Sequence, residues 1–254
     1  MNVQRIHLAV TPSTSTALRQ WADAHHPDAE TLVLLDADEQ TDGRGQRGNH
    51  WESAPGENLT FSMACQPHFL PPDRQFLISQ AIALAVCESL TLLADGFTVK
   101  WPNDIYWHDS KVSGTLIECD LQGKHIGTCI IGTGINVNQT HFLSNAPNPV
   151  SLRQILGRSI DREQLLADVL HAFVQRYEQI RQGRADDLRG DYMTHLYRAK
   201  GLHPYADADG PFLAAIDGIL PTGHLILRRP DGQTKRYEFK EVRFLPCLTQ
   251  EPSP

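Results

Sequence analysis

The stretch Gln40-Thr-Asp-Gly-Arg-Gly-Gln-Arg-Gly-Asn-His-Trp51 places three glycines around two arginines, directly after an apolar segment that predicts a strand. Glycine lets main-chain N–H groups approach a ligand closely, and the guanidinium forks of Arg44 and Arg47 suit a carboxylate or a phosphate. We interpret the stretch as a cationic flap above a rigid floor. Taken alone, the same pattern is also that of a surface turn, so the interpretation depends on the rest of the chain.

The composition limits the class of protein. The 254 residues are 41% hydrophobic and 21% charged, as in ordinary globular proteins, and the length suffices for one large domain and a small second one. The formal net charge of −7 argues against a broad nucleic-acid-binding face. We therefore expect the functional basic residues to be clustered locally.

Cysteine usage and the amino terminus bear on the compartment. The five cysteines are widely spaced without a Cys-x-x-Cys pair, which favours buried thiols in a reducing compartment over disulfides or a zinc site. The start of the chain lacks a secretory signal, and no segment approaches about 18 consecutive apolar residues. We expect a cytoplasmic protein with no membrane partner. The 12 histidines show no metal-binding pair on a helix.

Hydrophobic periodicity predicts an α/β region followed by a small β region. Strands are expected at residues 5–10, 31–36, 58–65, 98–101, 105–107, 115–119 and 125–132, and helices at 17–24, 73–94, 161–181 and 186–197. Further short strands are expected at 212–219, 225–228 and 235–239. The alternating strand at 58–65 is predicted to be half-buried. We divide the chain into domains at 1–198 and 199–250.

Several short motifs accompany the flap in a fixed order. They are Ser13-Thr-Ser15, Ser53, Gly56-Glu-Asn-Leu59, Ser62, Lys100-Trp-Pro-Asn-Asp104, Lys111-Val-Ser-Gly114, Leu116-Ile-Glu118 and Gly132-Thr-Gly-Ile-Asn136. With the flap, this combination resembles the biotin protein ligases, or biotin–[acetyl-CoA-carboxylase] ligases, over residues 6–138. The small β region continues the resemblance.

The resemblance implies a fold and a reaction. The fold is an α/β (α+β) catalytic domain like that of class II aminoacyl-tRNA synthetases and biotin–lipoate ligases, with a mixed sheet, flanking helices and a carboxy-terminal SH3-like barrel. The implied reaction has two steps. The biotin carboxylate attacks the α-phosphate of ATP to give biotinyl-5′-adenylate and pyrophosphate, and a lysine of a biotin carboxyl carrier protein domain then takes the biotinyl group.

Matching positions imply the roles of individual residues. Lys111 and Arg44 are the expected catalytic cations, because joining two anions requires fixed positive charge where negative charge accumulates. The expected biotin contacts are Ser13, Thr14, Ser15, Gln40, Arg44, Lys111, Gly114 and Leu116. The expected ATP or adenylate contacts are Arg44, Gln46, Arg47, Trp51, Lys100, Asn103, Asp104 and Asn136. Asp104 is the expected ligand of Mg²⁺, which prefers carboxylate and phosphate oxygens.

Two positions depart from the family pattern. Ser15 stands where the family has asparagine, which shortens one contact to the biotin ring, and Gln46 stands where the flap has arginine. Because a mixed anhydride hydrolyses readily, the flap is expected to exclude water, and Gln46 would weaken its hold on the adenylate.

Three other functions fit parts of the sequence. A lipoate or octanoate ligase of the same fold is the nearest, although its Arg-Arg-x-x-Gly-Gly-Gly segment is absent. A biotin sensor without turnover and an RNA-binding Arg/Gly module are the others. Family members that repress transcription carry an amino-terminal winged helix-turn-helix domain, whereas this chain begins at the catalytic region. We therefore expect a monofunctional ligase that binds no nucleic acid, as a monomer or homodimer.

Overall fold

The computed structural model describes residues 1–45, 50–143 and 148–246. Within these residues, the first sheet contains β1 (Asn2–Thr11), β2 (Thr31–Gln40), β3 (Leu59–Cys65), β4 (Phe97–Lys100), β5 (Asp104–Trp107), β6 (Ser110–Gln122) and β7 (His125–Ile135). The helices are α1 (Thr14–His25), α2 (Phe76–Thr91), α3 (Leu152–Leu156), α4 (Arg162–Arg181) and α5 (Ala185–Thr194), with a 3₁₀ turn at Pro72–Arg74. The second sheet contains β8 (His203–Asp207), β9 (Gly210–Ile219), β10 (Leu225–Arg228), β11 (Thr234–Tyr237) and β12 (Arg243–Phe244).

The first sheet is mixed. Its strand order is β1-β2-β3-β7-β6-β5-β4, with β1 parallel to β2 and the remaining neighbours antiparallel. Helices flank this sheet, so the predicted α/β class with a mixed sheet is confirmed. The helix α1 begins at Thr14, earlier than the predicted 17–24, and the short helix α3 was not predicted.

The strand β3 lies at the centre of the core. All seven of its residues are buried, so the prediction of a half-buried strand was wrong. Phe61 and Met63 belong to the hydrophobic cluster that contains α2, whereas Ala64 packs in a second cluster with Leu18 of α1. Because helices cover both faces of the strand, its small polar residues are buried as well as its apolar ones. The alternating pattern predicted that Thr60 and Ser62 are exposed, whereas both are buried.

The helix α2 holds the sheet together. It is apolar on nearly every side, and its buried residues form one cluster with Phe173 and Tyr177 of α4. A helix of this kind is stable only when packed on all sides. The position of α2 beneath the sheet therefore fixes the strands whose ends carry the motifs.

The second sheet is antiparallel and open. Its order is β11-β10-β9-β8-β12, and no pairing among the described residues joins β11 to β12. The expected SH3-like barrel is therefore a five-stranded sheet that does not close. The two-residue strand β12 explains this, because it pairs along β8 at the sheet edge only.

The two sheets are in direct contact. The indole Nε1 of Trp101, between β4 and β5, donates to the carbonyl of Gly223 at 2.9 Å. Leu227 and Tyr237 of the second sheet also belong to the same buried cluster as α2 and α4. The division into domains at 1–198 and 199–250 stays a prediction.

A disulfide joins Cys119 and Cys129 across β6 and β7, so the expectation of free thiols was wrong for this pair. A regular hairpin closed by Gln122 and His125 would place Thr128 opposite Cys119. A register shift between Cys119 and Leu121 moves the pairing by one residue and brings Cys129 there, with 4.1 Å between the Cα atoms. Cross-strand neighbours at this distance can be bridged.

Two other cysteines match the expectation. Cys65 and Cys87 are buried free thiols, and burial raises the pKa of each to about 12. Cys247 lies outside the described residues. None of the helices in the described residues is both long and apolar enough to cross a membrane.

Candidate active site

A cavity of about 620 Å³ opens where the ends of β2, β6 and β7 meet the turn between β4 and β5. Most predicted site residues line it. They are Ser13, Thr14, Ser15, Gln40, Arg44, Trp51, Lys100, Asp104, Lys111, Gly114, Leu116 and Asn136. The structure thus brings together residues from both ends of the segment 6–138, over which the sequence resembles the family. We call this cavity the cleft.

One end of the cleft carries a network of buried hydroxyls at the start of α1. The backbone N–H and the hydroxyl of Thr14 both donate to Gln40 Oε1, at 2.8 and 3.0 Å. The Ser62 hydroxyl lies 2.8 Å from that of Thr14 and 3.0 Å from that of Ser15. Buried polar groups with fixed partners are held in one orientation, so this end can recognise a neutral polar ring.

Two glycines of β7 form the floor of the cleft. A Cβ at Gly132 would overlap the hydroxyl of Ser15, and a Cβ at Gly134 would overlap the indole of Trp51. Only glycine therefore allows both side chains to reach the sheet. The Gly-x-Gly pattern of this strand serves close approach, and not the dinucleotide turn that such spacing otherwise indicates.

The middle of the cleft holds an ion pair. Lys111 Nζ lies 2.7 Å from Asp104 Oδ2, with the two side chains 23% and 27% exposed. Lys111 is the second residue of β6, directly after the turn at His108 and Asp109, and its backbone is fixed by bonds to Asn148 and Val150. The ammonium is therefore positioned by the sheet but remains accessible to a ligand.

Asn136 supports the backbone next to Lys111. Its Nδ2 lies 3.2 Å from the carbonyl of Val150 and 3.4 Å from that of Lys111, and the residue is buried. Its side chain lines the cleft, as a nucleotide contact requires. The same contacts show that it also fixes the segment that carries the lysine.

The described part of the flap is held by an ion pair. Arg44 donates to Glu118 of β6 at 2.8 Å, and the Trp51 N–H donates to the carbonyl of Gly43 at 2.8 Å. The Trp51 Nε1 is buried without a partner among the described residues. Gln46 and Arg47, which we predicted to contact ATP, lie outside the described residues. Glu118 stood in a quoted motif, but its pairing with Arg44 was not predicted.

Lys100 lies in the cleft, whereas Asn103 lies in a neighbouring cavity. Lys100 lines the cleft, and its Nζ donates to the Tyr106 hydroxyl at 2.8 Å; burial lowers the pKa of this lysine. Asn103 lines a neighbouring cavity of about 270 Å³ instead, where its Nδ2 donates to Ser79 Oγ at 3.0 Å. The expected contact of Asn103 with the nucleotide stays a prediction.

Six lining residues lie outside every quoted motif and were not predicted from the sequence. They are Glu52, Tyr106, Thr115, Phe142, Pro149 and Lys240. Tyr106 of β5 pairs with Thr98 of β4, two residues before Lys100. The register of these strands could therefore have indicated that Tyr106 lies on the same face as Lys100. Phe142, Pro149 and Lys240 lie outside regular periodic segments and gave no local signal.

The described residues do not form a cluster of three or more metal-binding His, Cys, Asp or Glu side chains. Mg²⁺ is commonly held by one or two carboxylates together with substrate phosphates, so it does not require such a cluster. Asp104 is a cleft carboxylate that fits this requirement.

A family and several relatives match the chain. The model of the biotin/lipoate A/B protein ligase family matches residues 7–136. The bifunctional ligase/repressor BirA of Bacillus subtilis (strain 168) is 30% identical, over 93% of this chain and 73% of the relative. The biotin--[acetyl-CoA-carboxylase] ligase of Paracoccus denitrificans is 28% identical, over 89% of this chain and 95% of the relative.

A solved structure is similar over nearly the whole chain. The biotin protein ligase of Aquifex aeolicus, in complex with biotin and ATP, superposes with a TM-score of 0.78 at 26% identity. The match covers 95% of this chain and 99% of that protein. The similarity extends beyond residues 7–136 and includes the second sheet.

Proposed function

This chain belongs to the biotin/lipoate A/B protein ligase family, and from that premise we propose how its cleft activates and transfers biotin. The chain is a biotin protein ligase whose substrates are biotin and ATP. The Paracoccus denitrificans relative and the solved structure described above are named for biotin, so the lipoate alternative is less supported. The observation that carries the residue assignment is the Lys111–Asp104 pair, which lies in the same cleft as the buried hydroxyl network.

Biotin lies with its ureido ring against the hydroxyl network and its carboxylate towards Lys111. Ser13, Thr14, Ser15 and Gln40 supply side-chain contacts, and Gly114 and Leu116, which line the same cleft, contact biotin through backbone groups. Gln40 and Ser62 keep the hydroxyls of α1 in place, so the ring finds partners that are already oriented. Such preorganisation reduces the entropy lost on binding.

Lys111 is the main cation of the first step. In the free chain its charge is matched by Asp104, and an arriving carboxylate and α-phosphate can share the ammonium. The carboxylate oxygen then forms a bond to the α-phosphorus, and the bond to the departing pyrophosphate breaks. Fixed charge at this point stabilises the negative charge that develops, and alignment of the reactants can contribute about 7–11 kcal/mol.

Asp104 would hold Mg²⁺ together with the phosphates of ATP, and the metal would supply charge neutralisation there. Arg44 contributes a second cation after it exchanges Glu118 for a substrate anion. Trp51, Lys100 and Asn136 border the nucleotide. Arg44 belongs to the flap, so its transfer to substrate is also what closes the cleft against water.

In the second step, an ε-amine of the acceptor protein attacks the carbonyl of the adenylate. A C–N bond forms, the bond to the phosphate oxygen breaks, and AMP leaves. We propose that the acceptor is the carrier domain of a biotin-dependent carboxylase. The cytoplasmic location, the absence of nucleic-acid binding and the monomeric or homodimeric state stay predictions.

Mass spectrometry of an acceptor domain tests this function. The purified chain, ATP, Mg²⁺ and biotin are expected to increase the mass of a carrier domain by one biotinyl group, with pyrophosphate released only when biotin is present. A parallel reaction with lipoate should give no increase. Pyrophosphate release that is independent of biotin would contradict the assignment.

A further inference from the structure

We propose that Lys240, in the turn between β11 and β12, binds the β- and γ-phosphates of ATP and so stabilises the departing pyrophosphate. The inference rests on the proposed function and adds a residue of the second sheet to the nucleotide site. Lys240 lines the cleft together with Pro102 and Leu116, and it also lines the neighbouring cavity of about 270 Å³. Its side chain therefore lies at the wall that separates the two cavities.

The turn that carries Lys240 is anchored on the first sheet. The ring of Phe239 lies 5.1 Å from that of Trp101 and 6.1 Å from that of Phe76, measured between centroids. Gly223 makes room for this packing, since a Cβ there would overlap Phe76. An aromatic residue fixed on two others holds the next residue of the chain in a defined place.

The ends of the same turn are closed by hydrogen bonds. The Glu238 N–H donates to the carboxylate of Glu241 at 2.8 Å, and the Glu241 N–H donates to the carbonyl of Glu238 at 3.1 Å. Lys240 thus occupies the third position of a closed turn. The closed turn therefore fixes the backbone from which the flexible side chain of Lys240 extends.

The backbone at Lys240 has a φ of +72°, in the left-handed region. A residue with a Cβ is unfavourable there, and glycine would be unstrained. Such conformations persist where the surroundings hold them, and they are frequent at ligand sites. The fold thus holds a lysine in a conformation that glycine would adopt without strain.

The charge of Lys240 is available to a ligand. In the cleft, Lys111 pairs with Asp104 and Arg44 pairs with Glu118. Lys240 is exposed and has no ion pair or hydrogen bond with any described residue. A triphosphate brings several negative charges, and its leaving group gains more during attack at the α-phosphorus. An unpaired ammonium at the rim of the cleft stabilises this charge without losing another partner.

Kinetics of three variants test the inference. Lys240→Ala is expected to raise the KM for ATP about tenfold in biotin-dependent pyrophosphate exchange, because one charged hydrogen bond is lost. The KM for biotin and the affinity for AMP should be unchanged. Lys240→Arg should restore most of the loss. Lys240→Gly should match the alanine variant in kinetics while its thermal midpoint equals or exceeds that of the wild type.

Arg236→Ala is the matched control, because it removes an exposed charge of β11 that lines neither cavity. It should leave all constants unchanged. An unchanged KM for ATP in the Lys240 variants would overturn the inference. A change confined to the KM for the carrier domain would also overturn it and would assign Lys240 to acceptor docking.

A binding measurement separates this inference from the proposed function. Calorimetry with a non-hydrolysable ATP analogue compares the wild type with Lys240→Ala without any turnover. If the wild type released no biotin-dependent pyrophosphate, the proposed function would fail, yet weaker analogue binding by the variant would still support the phosphate contact. Equal analogue binding by an active wild type and an active variant would reject the contact alone.

Discussion

The two sheets of the molecule bury their surfaces in different ways. The first sheet lies between helices, and its central strand β3 is buried throughout. The second sheet stacks the aromatic rings of Tyr205, Phe212 and Tyr237, and beside them it buries the Asp207 carboxylate against Lys235. The first sheet supplies the floor and most cations of the cleft, whereas the second reaches it through one turn. Most residues that line the cleft thus belong to the first sheet and the segments beside it, and the second sheet borders one edge of it.

The largest expected effect follows from Lys111→Ala, which removes a cation of the first sheet. The rate of biotin-dependent pyrophosphate release should fall about 100- to 1,000-fold, as when one electrostatic group is removed from a transition state. Lys124→Ala is the control, because this exposed lysine lies at the tip of the hairpin formed by β6 and β7. Equal loss in both variants would mean that the effect is not local to the cleft.

The disulfide of the first sheet is expected to have the next largest effect. Replacing Cys119 and Cys129 by serine should lower the free energy of unfolding by about 2 kcal/mol, because the constraint on the unfolded hairpin is lost. Denaturant unfolding measures this difference. Titration of thiols in the denatured but unreduced chain should find three free thiols among the five cysteines. A count of five would show that the bridge is absent.

The contact between the sheets is tested by Trp101→Phe. This change keeps an aromatic ring but removes the hydrogen bond to the Gly223 carbonyl, and it should lower the free energy of unfolding by about 1–2 kcal/mol. Trp107→Phe is the control, since its bond to the Asp95 carbonyl is exposed and water can replace it.

Because buried residues of both sheets form one cluster, the wild type should unfold in a single transition. Two transitions would show that the sheets are separate domains.

The smallest expected effect is a pH dependence of the second sheet. Hydrogen bonds from Lys235 and Tyr237 lower the pKa of Asp207 to about 2, whereas the unfolded value is about 4. The stabilisation is therefore present above pH 4 and lost as the pH falls towards 2. The ammonium of Lys235 is half exposed, so solvent weakens the effect. Near-ultraviolet circular dichroism should show that Asp207→Asn removes this dependence.

Much of the first sheet could be predicted from its sequence. The long apolar run of α2 and the compact strand β2 give strong periodic signals, and Gln40 and Lys111, which the motifs placed together, line the same cleft. The ends of the strands were predicted less accurately, because pairing with a neighbour continues a strand beyond its apolar residues. β2, for example, extends to Gln40 through Asp36 and Glu39.

The remaining features depend on tertiary packing. The disulfide required the register shift in β6, which no local pattern indicates. β8 and β12 were missed because their residues become strands only by pairing with each other and with β9. Lys240 has no sequence neighbours in the cleft, and only the packing of Phe239 on Trp101 brings it there.

The bare floor of the cleft limits how the enzyme can be re-engineered. Gly132 and Gly134 have no side-chain atoms left to remove, and Ser15 and Trp51 already occupy the space above them. Admitting bulkier acids for chemical labelling must therefore begin at residues that still have atoms to trim, such as Leu116. A library directed at Gly132 and Gly134 would only fill the site.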